Sequence, residues 1–175
     1  MKIITDATHF ALEGRSAVAI GKFDGVHRGH RKLLNDLMCS GDGLVKTVFT
    51  FAPSFASFFS GHPVPELSTR EEKRRLFAQI GIDLLIEFPV NKKTVAILPR
   101  DFITEILVKS LHAADIYAGR DLSFGCKGEG GLALMDSLAT SYDFQVHLVS
   151  KLNHEGREIS STYVREAVKE GCMEL

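Results

Sequence analysis

No run of apolar residues in this sequence approaches the roughly 18 that a membrane-spanning helix needs. The first residues, Met1-Lys2-Ile3-Ile4-Thr5-Asp6, also lack the apolar core of a signal peptide. Neither sign of charge is in excess: 21 Lys and Arg face 22 Asp and Glu, for a net charge of −1. That balance argues against a general nucleic-acid binder. Cysteine is scarce and badly spaced for a scaffold, because Cys39, Cys126 and Cys172 are odd in number and form no C-x-x-C pair. Reduced thiols and a cytoplasmic location are the expectation. No internal repeat, low-complexity segment or linker is visible. What remains is an ordinary composition, 45% hydrophobic and 25% charged over 175 residues. A chain of this length buries about 68–70% of its unfolded surface in one domain.

The chain is organised around Ala17–Ile20 and the ten residues that follow. Four apolar residues read as a buried strand, and Gly21, Asp24 and Gly25 break it. His27 and His30 then open a helical segment in which Leu33, Leu34, Leu37 and Met38 share a face. A strand that turns sharply into a helix leaves unpaired N–H groups and the positive end of the helix dipole at one point. Phosphate binds there readily, and the two histidines with Arg28, Arg31 and Lys32 add donors. Two other readings fit the same residues. His27, His30 and Asp24 are acceptable zinc ligands, and a glycine-rich turn also serves tight packing alone.

Further on, strands and helices alternate. Val45–Phe51 reads as a second strand, stopped by Pro53, and Ser54–Pro65 as a loop with three phenylalanines. Ser68 and Glu71 spell a capping box for a helix carrying Leu76, Phe77 and Ile80 that ends at Gly81. Ile82–Phe88 is a third strand. Pro99 starts a helix bearing Phe102, Ile103, Ile106 and Leu107. Asp115–Ala118 is a fourth strand, followed by a glycine-rich loop through Gly131. Leu132–Leu138 is another helix and Phe144–Val149 a fifth strand, whose His147 reads as a surface or packed histidine. Ser161 and Thr162 are N-cap types, with Arg165 one turn beyond. The alternation predicts an α/β fold: a Rossmann-like, doubly wound parallel sheet of about five strands with helices on both faces. Its site is expected at the carboxyl ends of the strands, with His27 and His30 near Ser161, Thr162 and Arg165 and with His30 exposed in the cleft.

The segment Gly21-Lys22-Phe23-Asp24-Gly25-Val26-His27-Arg28-Gly29-His30 resembles the G-x-F-D-G-V-H-x-G-H motif of the adenylyltransferase domain in prokaryotic bifunctional riboflavin kinase/FAD synthetases. These enzymes lie within the H-x-G-H nucleotidyltransferase superfamily. Ile159-Ser160-Ser161-Thr162-Tyr163-Val164-Arg165 is similar to its I-S-S-T-x-I/V-R motif, and Gly119–Gly125 to its G-x-D/N-F-x-F-G loop with Leu122 for the first phenylalanine. Thr50-Phe51-Ala52-Pro53 matches the start of T-F-x-P-H-P, after which Ser54 and Phe55 replace His-Pro.

The resemblance implies FMN adenylyltransferase activity, ATP + FMN giving FAD and pyrophosphate. It assigns catalysis to His27, His30 and Arg165. It assigns ATP binding to Gly21, Phe23, Asp24, Gly25, His27, Gly29, His30, Asp121, Ser161, Thr162 and Arg165. Phe51, Pro53, Ser54, Phe55 and Phe124 fall on the flavin side. Mg²⁺ is expected as the cofactor, held with the ATP phosphates by Asp121. The partners implied are the small molecules ATP and FMN, with neither nucleic acid nor membrane; no residue pattern speaks to oligomeric state. Residues 1–175 are expected to form one adenylyltransferase domain without the riboflavin kinase domain. Three other readings remain open: a related adenylyltransferase with another phosphorylated acceptor, motivated by Ser54-Phe55, a module that binds ATP or flavin without turnover, and a structural domain that binds no nucleotide.

Overall fold

The computed structural model describes residues 1–154 and 156–171; Cys172 lies outside the described residues. Strand β2 (Ser16–Ile20) is buried at every position, as a strand covered on both faces must be. It pairs in parallel with β3 (Val45–Ala52) on one side and β5 (Ala113–Gly119) on the other. β4 (Leu84–Pro89) extends the sheet beyond β3, and β6 (Gln145–Val149) extends it beyond β5, both again parallel.

A sixth strand, β1 (Lys2–Thr5), adds to the free side of β4, giving the order β1-β4-β3-β2-β5-β6. About five strands were expected. The extra one is a four-residue edge strand with most of its residues exposed, so it carries little hydrophobic pattern. The sheet places it, more than its own sequence does.

Crossover elements cover both faces. Helix α1 (Arg28–Met38) buries Leu33, Leu34 and Leu37, and α3 (Arg70–Ile80) buries Phe77. Both pack with Ala17, Ala19, Val48 and Leu85 on one face. On the other face, Phe102, Ile103, Ile106 and Leu107 join Val18, Ile20, Phe49 and Ile86, together with Met135 and Leu138 of α5 (Leu132–Tyr142). Full burial of side chains of this size stabilises by about 1.5–3 kcal/mol each relative to exposure. Pro99 does open a helix, a single turn α4 (Pro99–Asp101), but the backbone then widens into a π-helix, Phe102–Ser110.

Three local expectations change. Ser54–Pro65 is not all loop: Ser54 caps a short helix α2 (Phe55–Ser60) that ends at Gly61. The capping box of α3 is Thr69 with Glu72, one residue later than Ser68 with Glu71. A two-stranded hairpin, β7 (Asn153–His154) with β8 (Arg157–Glu158), precedes the last helix, α6 (Ser161–Lys169). The N-cap of α6 is Ser160, whose hydroxyl accepts the Tyr163 N–H.

The chain moves outward from β2 to β3 and β4, then returns to β5 on the other side of β2. That reversal is the topological switch point of an open α/β sheet, and a crevice opens there at the carboxyl ends. The segments after β2 and β5 meet in it.

Candidate active site

After Ile20 the backbone makes a 3₁₀ turn, Asp24–Val26, before α1 begins. Phe23 enters the left-handed region (φ 50°) and is fully buried edge-on to Phe77, 5.6 Å between ring centroids. Gly25 sits at φ 77°, where a Cβ would also come within 2.9 Å of Leu67. Val26 follows at φ 37°, an uncommon conformation for a β-branched residue and a local strain that the surroundings must hold.

Asp24 does much of that holding. It is 7% exposed, with Oδ1 accepting the Leu67 N–H at 2.7 Å and Oδ2 accepting the Arg165 guanidinium. Its carbonyl accepts the Ser161 hydroxyl at 3.0 Å. One residue of the turn is therefore bonded to α6, which lies far along the chain.

His27 is the N-cap of α1; its Nδ1 accepts the His30 N–H across a long 3.4 Å. That contact favours the neutral tautomer with the proton on Nε2. The His27 and His30 rings stack, with centroids 3.7 Å apart and planes 20° from parallel, and His30 also leans on Phe23. Burial holds the His27 imidazole below its usual pKa, partly offset by Asp24. Burial, then the neighbouring His27, pushes His30 down to about 3 against the pull of Asp121. His30 Nδ1 is buried without a hydrogen-bond partner among the described residues. A buried polar atom left in this state costs free energy, and the residue that carries it borders a cleft. The expectation that His30 is exposed is corrected: its ring is mostly covered by His27 and Phe23, and one edge of it reaches the cleft.

The cleft holds about 280 Å³ and is walled by Gly21, His27, Gly29, His30, Asp121, Ser160 and Ser161, among others. Gly29 keeps its Cα close to the His27 ring, which a Cβ would meet at 3.3 Å. Asp121 is largely exposed and pairs with Lys151 at 3.4 Å, while Lys151 also binds Glu158 at 2.9 Å. Adjoining the cleft is a second cavity of about 300 Å³, lined by Phe51, Phe55, Phe59, Phe88, Phe102 and Phe124 with smaller residues. The two spaces share Lys22, Phe51, Phe55 and Ser123 in their walls.

Of the residues singled out from sequence, Gly21, Phe23, His27, Gly29, His30, Asp121 and Ser161 are brought to the cleft, and Phe51, Phe55 and Phe124 to the aromatic cavity. Asp24 and Gly25 lie beneath the cleft as the frame of the turn. Thr162 and Arg165 do not line it; Thr162 is exposed, and Arg165 is held by Asp24. Pro53 and Ser54 face a third cleft, beside Arg70 and the buried Glu87. His147 is far from this chemistry in role, bonded to Asp115 at 2.7 Å and stacked on Tyr117. Lys22, Phe59, Ser160 and Lys151 were not singled out as site residues. Lys22 and Ser160 stand inside the two motifs. Phe59 belongs to the Ser54–Pro65 stretch whose three phenylalanines suit either packing on the core or a wall for a flat aromatic ligand, and it lines the aromatic cavity; nothing in the local sequence marks Lys151, which tertiary folding alone brings there.

Among the described residues no helix is long and apolar enough to cross a membrane. The doubly wound fold has solved relatives. One is a structure titled macrolide-efflux protein from Streptococcus pneumoniae, with a TM-score of 0.81, 24% identity, and coverage of 99% of this chain and 58% of that one. A second is a pantoate-beta-alanine ligase from Francisella tularensis, with a TM-score of 0.59 at 13% identity, covering 94% of this chain and 73% of that one.

In sequence, the chain is 34% identical to the bifunctional riboflavin kinase/FMN adenylyltransferase of Escherichia coli K12, over 90% of this chain and 51% of the relative. It is 32% identical to the protein of the same name from Buchnera aphidicola of Schizaphis graminum, over 94% of this chain and 54% of the relative. The chain thus spans about half the length of these curated relatives. The FAD synthetase family model matches residues 10–163, a stretch that holds both the histidine turn and the serine cap of α6, and the chain belongs to the FAD synthetase family.

Proposed function

We propose that this chain transfers AMP from ATP to FMN, releasing pyrophosphate and forming FAD. The observation that carries the reading is the shared wall: a cleft at a helix N-terminus, lined by His27, His30, Ser160 and Ser161 among others, adjoins a cavity lined by phenylalanines, with Lys22, Phe51, Phe55 and Ser123 common to both. A flat aromatic ring fits the second space and phosphates fit the first. An acceptor that spans both puts its phosphate against the α-phosphorus of the nucleotide.

The acceptor oxygen then forms the new P–O bond in line, and the bond from the α-phosphorus to the bridging oxygen of pyrophosphate breaks. The acceptor phosphate is already ionised near neutral pH, so no general base is required. The protein's part is positioning and charge stabilisation. His27 and His30, neutral and stacked, present ring N–H donors to the α-phosphoryl group. The N-terminus of α6 at Ser160 and Ser161 faces the leaving phosphates. Arg165 secures that helix through Asp24.

A divalent metal suits the residues present. Mg²⁺ usually keeps several waters and takes one or two carboxylates together with substrate phosphates. Asp121, 72% exposed in its side chain, is such a carboxylate on the cleft wall. Among the described residues no group of three or more His, Cys, Asp and Glu forms a cage of its own. Mg²⁺ bound between Asp121 and the phosphates would supply further neutralisation of their charge. The substrates are small molecules, and a cytoplasmic setting suits them.

The test is incubation with ATP, Mg²⁺ and FMN, followed by chromatography for FAD and an assay for pyrophosphate. Equal amounts of both products are expected. Pyrophosphate release only with a different phosphorylated acceptor would overturn the acceptor assignment, and tight binding without turnover would reduce the protein to a binding module.

A further inference from the structure

We propose that Lys22 is the cation that receives the acceptor's phosphate, and that it makes a phosphorylated acceptor preferred over its unphosphorylated form. The inference rests on the adenylyl-transfer reading above and assigns a role to the position left open as x in G-x-F-D-G.

Lys22 follows Gly21 at the carboxyl end of β2, is exposed, and lines both the histidine cleft and the aromatic cavity. Among the described residues it is the one Lys or Arg common to both walls. The other lysine of the cleft, Lys151, is engaged by Glu158 and Asp121. Lys22 has no carboxylate partner among the described residues, so its charge is available to a ligand. Its backbone is nevertheless anchored, and its side chain lies over an aromatic ring. The Lys22 carbonyl accepts the Thr50 hydroxyl at 3.3 Å, and Nζ lies 5.8 Å from the centroid of the Phe55 ring. A ring face attracts an ammonium group without neutralising it. Phe55, which stands where the resembling family has proline, thereby holds the cation at the seam between the two spaces.

The chemistry places a charge problem at that seam. A flat ring seated among the phenylalanines must carry its phosphate toward the cleft, where it meets a triphosphate. Two polyanions brought within bonding distance repel strongly in a partly desolvated site. An ammonium between them offsets the repulsion as the acceptor oxygen attacks and pyrophosphate departs. Lys22 acts in this step as a donor and a charge. Neither His27 nor His30 supplies a formal charge here, since burial keeps both rings neutral near pH 7.

The experiment compares wild type with Lys22→Met and Lys22→Arg, which leave the buried turn intact because the side chain is exposed. Steady-state FAD formation gives KM for FMN and for ATP. Flavin fluorescence gives the affinities for FMN and for riboflavin, which lacks the phosphate. Lys22→Met is expected to raise KM for FMN about ten-fold or more, the scale of a hydrogen bond to a charged group. KM for ATP should stay within about two-fold, riboflavin affinity should be unchanged, and Lys22→Arg should retain most of the FMN preference. An unchanged KM for FMN, a rise confined to ATP, or equal weakening of riboflavin and FMN would each overturn the assignment. If wild type makes no FAD, the adenylyl-transfer reading fails by itself. The loss of the FMN-over-riboflavin preference in Lys22→Met then still decides whether Lys22 recognises the phosphate.

Discussion

Asp24 illustrates how a motif residue can frame a cleft without facing it. Its two carboxylate oxygens are used on the Leu67 N–H and on Arg165, so neither is free for a ligand. Asp24→Asn should keep one amide contact and lose the ion pair. With the Arg165 side chain 42% exposed, solvent screening limits the loss to about 1–2 kcal/mol. Arg165→Gln should cost a similar amount, and the double variant little more than either alone, because both singles break one interaction. Additive losses in urea melts would show that the two side chains act separately. His30 sits differently: it lines the cleft, and its buried Nδ1 has no hydrogen-bond partner among the described residues. Replacing it with Asn roughly retains the packing volume against Phe23 and His27, so melting should change little. Turnover of FMN and ATP should fall about 10²-fold or more, the scale for losing one preorganised donor. Wild-type kcat in that variant would remove the ring from the mechanism.

At the level of elements, what was legible in the sequence is what periodicity and burial dictate. β2, β3 and the apolar faces of α1 and α3 were readable because each buries a regular run. The shifted helix starts have a tertiary cause. Both Ser68 with Glu71 and Thr69 with Glu72 satisfy the capping-box pattern, but the Ser68 hydroxyl accepts the Gly25 N–H at 3.0 Å. That contact removes Ser68 as a cap and leaves Thr69, whose hydroxyl accepts the Glu72 N–H. At α6 the Ser161 hydroxyl is likewise taken by the Asp24 carbonyl, and Ser160 caps instead. Both substitutions of one serine or threonine for its neighbour point back to the same turn, which no local pattern reveals. Thr69→Ala should therefore lower Tm by about 2–4 °C, the effect of losing a cap of about 1 kcal/mol in a domain of this size. Ser68→Ala should act through the site turn instead, raising KM for ATP more than it lowers Tm. Equal Tm losses with unchanged KM values would refute that division of labour.

For the whole molecule, the switch point between β2 and β5 explains why a site assembled from the start and the end of the chain is compact. Its cost is that two imidazoles are enclosed, and this has a consequence for acid stability. In the unfolded chain a histidine titrates near 6.5, whereas in the fold His27 is lowered and His30 is lowered to about 3, chiefly by burial. Between those values the unfolded state binds more protons than the folded one. Stability therefore rises with pH in this window, is fully present above about 6.5, and is lost as pH falls toward 3. Each proton taken up on unfolding contributes a slope of about 1.4 kcal/mol per pH unit. Carboxylates add slope of their own at lower pH, so the informative range is pH 5–7, where wild type should lose Tm steadily on acidification. His30→Asn removes one of the two rings and should show a visibly shallower slope over that range. Parallel Tm–pH curves for wild type and His30→Asn would mean that the enclosed rings are not held neutral in the free protein.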